Sequence, residues 1–292
     1  VYMKEILKLL RINNWIKNIF IFIPIFFSSE LIDFIKLSNT FIVFTGFCLI
    51  TSFVYIINDI FDKKFDQNHP IKSKRPIASG TVSIKTAIIT AILFLLVGIA
   101  ITYSVSIYSF YLSIFYVLLN FAYSLKLKHI GIIDFIIISF GFVIRILIGS
   151  VVGDIDLTQW IVIMVFLLSL FIAIAKRRDD VYVFENDNKI NRKVVSQYSL
   201  SFMDKSITII SSILIMSYIL YVSSNDVISR YESEYLYITF IPVLIGILRY
   251  NQMVYVYNKG GDPIKLLFKD IFLQSCIIIW ILIFSLIIYN SI

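Results

Sequence analysis

The chain has 292 residues, of which 59% are hydrophobic and only 15% charged, with a formal net charge of +7. Its mean hydropathy of +0.88 excludes a soluble domain and places the chain in a membrane. The two cysteines, Cys48 and Cys276, both fall in apolar runs, which argues against a disulfide framework or a zinc site. The N-terminus shows no cleavable-signal pattern: Lys4, Lys8, Arg11 and Lys17 precede the first apolar run. Nine runs are long enough to cross, or nearly cross, a bilayer, near residues 17–34, 39–58, 84–104, 106–123, 130–152, 158–176, 205–223, 235–256 and 270–290. Pro24 interrupts the first, and Pro242 with Gly246 predicts a kink in the eighth. The expectation is an all-α integral membrane protein of about nine helices, forming a single domain over 1–292.

Charge orients these spans. All but three of the 26 Lys and Arg lie at the N-terminus or in the loops after spans two, four, six and eight, the exceptions being Lys36, Arg145 and Arg230. The positive-inside rule puts that face, with the N-terminus, in the cytoplasm of a multi-pass inner-membrane protein. The net charge thus belongs to one face and calls for no nucleic-acid partner. Anionic lipid or an anionic substrate would be drawn there. A homo-oligomer is compatible with the sequence and not required by it.

The second span runs into "NDIFDKKFDQNHPIKSKRPIASG", residues 58–80. On a continuing helix, Asn58, Asp59, Asp62 and Asp66 fall within an arc of roughly 100°. Carboxylates on one face repel unless a cation lies between them. Hard oxygen donors beside an amide suit Mg²⁺, which keeps several waters and is commonly completed by substrate phosphates. Lys72, Lys74 and Arg75 follow and would hold the same phosphates from the other side. A solvated acidic helix end with a basic loop is the plainer alternative.

This stretch, N-D-x-x-D-x-x-x-D followed by H-P-x-K-x-x-R-P-I-A-S-G, resembles the first signature of the UbiA-type membrane prenyltransferase superfamily. The resemblance implies a UbiA-like bundle around a cytoplasm-facing polar cavity, with a diphosphate held through Mg²⁺. It implies Asn58, Asp62 and Asp66 as metal or diphosphate ligands, and Lys72 and Arg75 as diphosphate contacts. His69 lies inside the motif, where a phosphate contact and a turn-filling role are equally open. Further matches are "RINNWIKN" with Lys17, "RILIGS" with Arg145, "KRRDD" after span six and "RYNQMVYVYNKGGDPIKLLFKD". Together they resemble the polyprenyl-phosphate phosphoribosyltransferase branch.

Aromatic prenyltransferases of the superfamily carry a second D-x-x-x-D after span six. Here that position reads Lys176, Arg177, Arg178, Asp179, Asp180. More bases and fewer acids suit a donor such as phosphoribosyl pyrophosphate, with its extra 5-phosphate, and a lipid acceptor that brings another. A basic cluster that merely ends the span is the alternative. The resemblance also suggests that Tyr123 and Lys126, one turn apart, touch phosphate; an aromatic belt with flanking lysines competes. Asp134, near the start of span five, and Arg145, within it, lie three turns apart on one side and would line one cavity wall; a structural ion pair with another helix competes. The expected reaction is Mg²⁺-dependent transfer of 5-phosphoribosyl to a polyprenyl phosphate such as decaprenyl phosphate. Prenyl transfer from an isoprenyl diphosphate to a small acceptor is the nearest rival. A transporter is less favoured, because the polar residues gather at one face without an inverted repeat.

Overall fold

The computed structural model describes residues 2–28, 33–68, 72–187 and 193–290; His69 lies outside them. Among the described residues every regular element is helical. They form two compact units, Val1–Leu157 and Thr158–Ile292. Eight helices among the described residues are long and apolar enough to cross a membrane. The chain is an integral membrane protein.

The first unit begins with α1 (Tyr2–Leu10), a 3₁₀ helix over Ile12–Phe22 and α2 (Ile23–Phe27). The predicted first span, 17–34, therefore differs from expectation: its apolar helix covers only Ile12–Phe27. An 11-residue 3₁₀ helix rises about 2 Å per residue, so this segment still extends about 30 Å. Pro24 sits in the first turn of α2, where its missing N–H has no intrahelical role.

Helix α3 (Phe34–Phe61) forms the spine of the unit, packing on α5 (Ile84–Val105), α6 (Ile107–Leu125) and α7 (Ile133–Gly153) as well as on the 3₁₀ helix. Asp33 caps α3 by accepting from the Ile35 and Lys36 amides. Hydroxyls along it, Thr40, Thr45 and Ser52, return their hydrogen bonds to carbonyls one turn back, which satisfies them in an apolar setting. Small residues let α3 and α5 close on each other: a Cβ on Gly98 would lie 2.7 Å from the Gly46 carbonyl. Gly149 of α7 does the same for the 3₁₀ helix, where a Cβ would sit 2.0 Å from the Ile21 carbonyl. The core joins Ile21, Phe47, Ile50, Tyr116, Ile144 and Ile148. A second cluster gathers Leu9, Leu10, Ile56, Ile77 and Val82 beneath α1 and the 76–82 turn.

The second unit contains α8 (Gln159–Asp187), α9 (Leu200–Val222), α10 (Asn225–Tyr231), α11 (Phe240–Tyr255), α12 (Pro263–Lys269) and α13 (Ile271–Asn290). Helix α8 packs on α9, and α11 on α13 and α9. A 3₁₀ helix (Tyr235–Thr239) passes directly into α11, and Pro242 falls in the first turn of α11, where proline is best tolerated. Cys48 and Cys276 are free and buried, as their apolar surroundings predict.

Candidate active site

The acidic stretch forms at the end of α3. The helical hydrogen bonds continue through it, Asp62 N to Asn58 O at 2.9 Å and Asp66 N to Asp62 O at 2.8 Å, so α4 (Lys63–Gln67) prolongs α3 with a short break at Asp62. Asn58 Nδ2 donates to Asp62 Oδ2 at 3.1 Å, and Ser124 Oγ of α6 reaches Asn58 Oδ1 at 3.4 Å. The cations that the acids require are side chains of this same unit. Lys128 Nζ, in the 3₁₀ turn Leu127–His129, donates to Asp62 Oδ1 at 2.6 Å. Arg75 Nη1 bridges Asp59 Oδ1 at 3.1 Å and Asp66 Oδ2 at 2.6 Å. Asp59 also accepts from Arg11 Nη2.

Burial makes these pairs consequential. Asp59 is 2% exposed, Asp66 is buried and Lys128 is 5% exposed. An unpaired charge at such depth is costly, and removing one partner of a buried pair typically costs about 3–5 kcal/mol. Arg11 is held there at a conformational cost: its φ of 51° and ψ of 47° are left-handed, about 1–2 kcal/mol unfavourable for a residue with a side chain. The guanidinium lies 5.3 Å from the centre of the Tyr55 ring. The loop carrying Arg75 is pinned by Gln67 Nε2 to Ala78 O at 3.3 Å, and it turns at Gly80, where φ is 78°. Lys72 is half-buried and Lys74 exposed on that loop.

No group of three or more His, Cys, Asp or Glu among the described residues is arranged to hold a metal by itself. The donors instead suit a divalent cation that arrives with phosphates. Mg²⁺ commonly takes only one or two carboxylates from the protein, and Asn58 and Asp62 already stand within hydrogen-bond distance of each other.

Arg145 is held deep within the first unit. It is 4% exposed, and its guanidinium donates to Asn18 Oδ1 at 2.9 Å, Gly141 O at 2.6 Å and Tyr116 OH at 3.1 Å. The rings of Phe47, Tyr116 and Phe142 surround it at 5.0–5.2 Å. Arg145 therefore ties α6 and the 3₁₀ helix to α7, with Asn18 passing the connection on to Thr51 of α3 at 3.1 Å. Asp134 is fully buried in the first turn of α7, a helix end that favours a carboxylate. Eleven residues of helix set it about 16 Å along the axis from Arg145. Lys17 and Tyr123 are half-buried, and Lys126 is exposed at the end of α6.

In the second unit, the basic run of Lys176, Arg177 and Arg178 lies within α8, where the apolar part of the helix gives way to charge. Arg178 donates to Asp204 Oδ1 of α9 at 3.0 Å, to Val254 O of α11 at 3.0 Å and to Asn258 Oδ1. Arg178 thus ties three segments together. Arg177, also buried, donates to Asp180 Oδ2 at 2.6 Å, while Lys176 is exposed. Gly260 and Gly261 answer a need for close approach: a Cβ on Gly261 would lie 2.2 Å from Asp179 Oδ2.

Sequence reasoning missed the pairing roles of Arg11 and Lys128. Arg11 stood in the matching "RINNWIKN", and Lys128 only two residues beyond Lys126; both partners are distant in sequence.

Taken together, the fold and this acid–base cluster define a helical membrane protein with an oxygen-donor site at the end of a membrane helix. The sequence profile of the UbiA prenyltransferase family matches residues 19–290, and the chain belongs to that family. It is an enzyme of the UbiA prenyltransferase type. It is 30% identical over 291 residues to decaprenyl-phosphate phosphoribosyltransferase of Mycolicibacterium smegmatis, covering 94% of this chain and 90% of the relative. The corresponding enzyme of Corynebacterium glutamicum is 28% identical over 279 residues, covering 94% and 84%. Among solved structures, a UbiA homolog from Archaeoglobus fulgidus bound to DMAPP and Mg²⁺ superposes with a TM-score of 0.71 at 19% identity, covering 98% of each chain.

Proposed function

We propose that this protein transfers a 5-phosphoribosyl group from phosphoribosyl pyrophosphate to a polyprenyl phosphate, such as decaprenyl phosphate, and releases pyrophosphate. The observation that carries the reading is 30% identity to a decaprenyl-phosphate phosphoribosyltransferase along 94% of the chain. The paired acids and bases of residues 58–75 support it as chemistry. Asn58, Asp62 and Asp66 would hold Mg²⁺, and Lys72 and Arg75 would grip the diphosphate, with Lys74 and, from the same sequence motif, His69 as further phosphate contacts. When bound, Mg²⁺ would neutralise charge on the departing diphosphate.

An oxygen of the lipid phosphate would attack the anomeric carbon of the ribose. The bond from that carbon to the pyrophosphate oxygen would break, and its electron pair would leave with pyrophosphate. The attacking oxygen is already anionic, so no general base is needed, in keeping with a cluster built of acids and permanent cations. The protein's contribution would be mainly to hold two anions at reacting distance. Tyr123, Lys126 and Lys17 would contact phosphate from the surrounding elements of the first unit. The active face and the N-terminus would look into the cytoplasm from the inner membrane, as the basic loops favour.

Purified protein given both substrates and Mg²⁺ should release pyrophosphate and yield a phosphoribosylated lipid, detected by mass. Undiminished product from D66A would refute the site. Prenyl transfer is the second reading, favoured by the family to which the chain belongs. Prenyl diphosphate consumed with a small aromatic acceptor would establish it instead.

A further inference from the structure

Resting on the diphosphate site proposed above, we infer that Arg11 is a positioning residue that lets Arg75 move from the acids to the diphosphate. Four charges are linked in a row. Arg11 Nη2 donates to Asp59, Asp59 accepts Arg75 Nη1 at 3.1 Å, and that same nitrogen donates to Asp66 Oδ2 at 2.6 Å. The row is neutral as it stands, with two guanidinia and two carboxylates. The inner carboxylate, Asp59, is 2% exposed, whereas Arg75 keeps a side-chain exposure of 27%. Arg75 is thus the more accessible member, on a loop, and Asp59 is the member that cannot be left alone.

Suppose a metal-bound diphosphate arrives. Asp66 turns to the metal, and Arg75 turns to the phosphate oxygens. Without a second cation, that turn would strand a carboxylate buried at the end of a membrane helix. Arg11 removes this obstacle, because Asp59 stays paired with it alone. Arg11 sits in the left-handed region where α1 ends and the 3₁₀ helix begins, and that turn brings its guanidinium over Tyr55 and onto Asp59. Arg11 need not touch the substrate for this role.

The test is equilibrium binding of Mg²⁺-pyrophosphate to full-length protein in detergent or nanodiscs, beside steady-state kinetics with the phosphoribosyl donor. For R11Q the expected result is about tenfold weaker pyrophosphate binding and a matching rise in donor KM, with kcat within about threefold of wild type. R11K keeps the charge and should stay within about threefold in binding. D59N removes the need for a second cation, so R11Q/D59N should bind as D59N does, within about threefold. That paired comparison also serves if R11Q alone fails to fold. Wild-type affinity in R11Q, or a tenfold loss on adding R11Q to D59N, would overturn the inference. The functional reading fails separately: wild type that binds Mg²⁺-pyrophosphate but transfers no phosphoribosyl group contradicts only that reading, and wild type that binds none contradicts both.

Discussion

Two long helices, α3 and α8, carry clusters of charge, and the two clusters are built in opposite ways. Where α3 runs into α4, the helix itself supplies buried acids, Asp59 and Asp66, and the cations come from other segments, Arg11, Arg75 and Lys128. In α8, more than two turns before its end, the helix itself supplies buried bases, Arg177 and Arg178. Arg177 is answered by Asp180 within its own helix, and Arg178 by Asp204, a backbone carbonyl and an amide oxygen. A cation on a loop can exchange one anionic partner for another. A guanidinium whose donors go to three segments of fixed backbone cannot do so without loosening the fold. On the function proposed here, the acidic cluster would serve chemistry and the basic cluster architecture.

The contrast is open to direct attack, beginning with its largest expected effect. D62A should lower pyrophosphate release by about 1,000-fold, because the residue proposed to hold the metal is lost, and should also lower the melting temperature, because buried Lys128 loses its partner. A purely structural role would give the lower melting temperature without the loss of turnover in the folded protein. R178A should show that second pattern, costing about 3 kcal/mol of stability in thermal unfolding and leaving donor KM within about threefold. A large rise in KM without destabilisation would place Arg178 on a substrate and erase the distinction. G149A should cost about 2 kcal/mol, since the added methyl would push the 3₁₀ helix off α7 and disturb the Asn18–Arg145 bond. K128M keeps the length of the stem but not the charge, and should reduce turnover about tenfold by releasing Asp62.

The smallest effect concerns pH. Asp270, which precedes α13, accepts two hydrogen bonds from Arg249 and one from the Leu273 amide. The Arg249 guanidinium holds its carboxyl below the usual carboxylate range. A depressed folded value contributes stability above the ordinary carboxylate pKa, and that contribution is lost as pH falls through the lowered one. Melting temperature should therefore drop below about pH 4, and the drop should be shallower in D270N than in wild type.

How much of this was legible in the sequence differs from one end to the other. The acids of 58–66 could be read because charge begins abruptly at a membrane boundary and recurs at helical spacing. Their partners could not: Arg11 is 48 residues from Asp59, and Lys128 is 66 from Asp62, distances over which spacing carries no information. Arg145 was conspicuous as an intramembrane charge, yet its cage of Phe47, Tyr116 and Phe142 depends on how three elements meet. Boundaries for spans three to five were within three residues of those observed, since apolar length fixes them, whereas the sixth, expected to end at 176, continues as α8 to Asp187 because a helix can run on past its apolar part. The first span was not, because hydropathy does not separate a 3₁₀ helix from an α-helix.

The most direct measurement offers purified protein two labelled donors in parallel, phosphoribosyl pyrophosphate and a prenyl diphosphate, each with polyprenyl phosphate, a small aromatic acceptor and Mg²⁺. Label moving from the phosphoribosyl donor into the lipid, and disappearing from the product in D62A, is the predicted result. Label moving only from the prenyl diphosphate into the aromatic acceptor would contradict it.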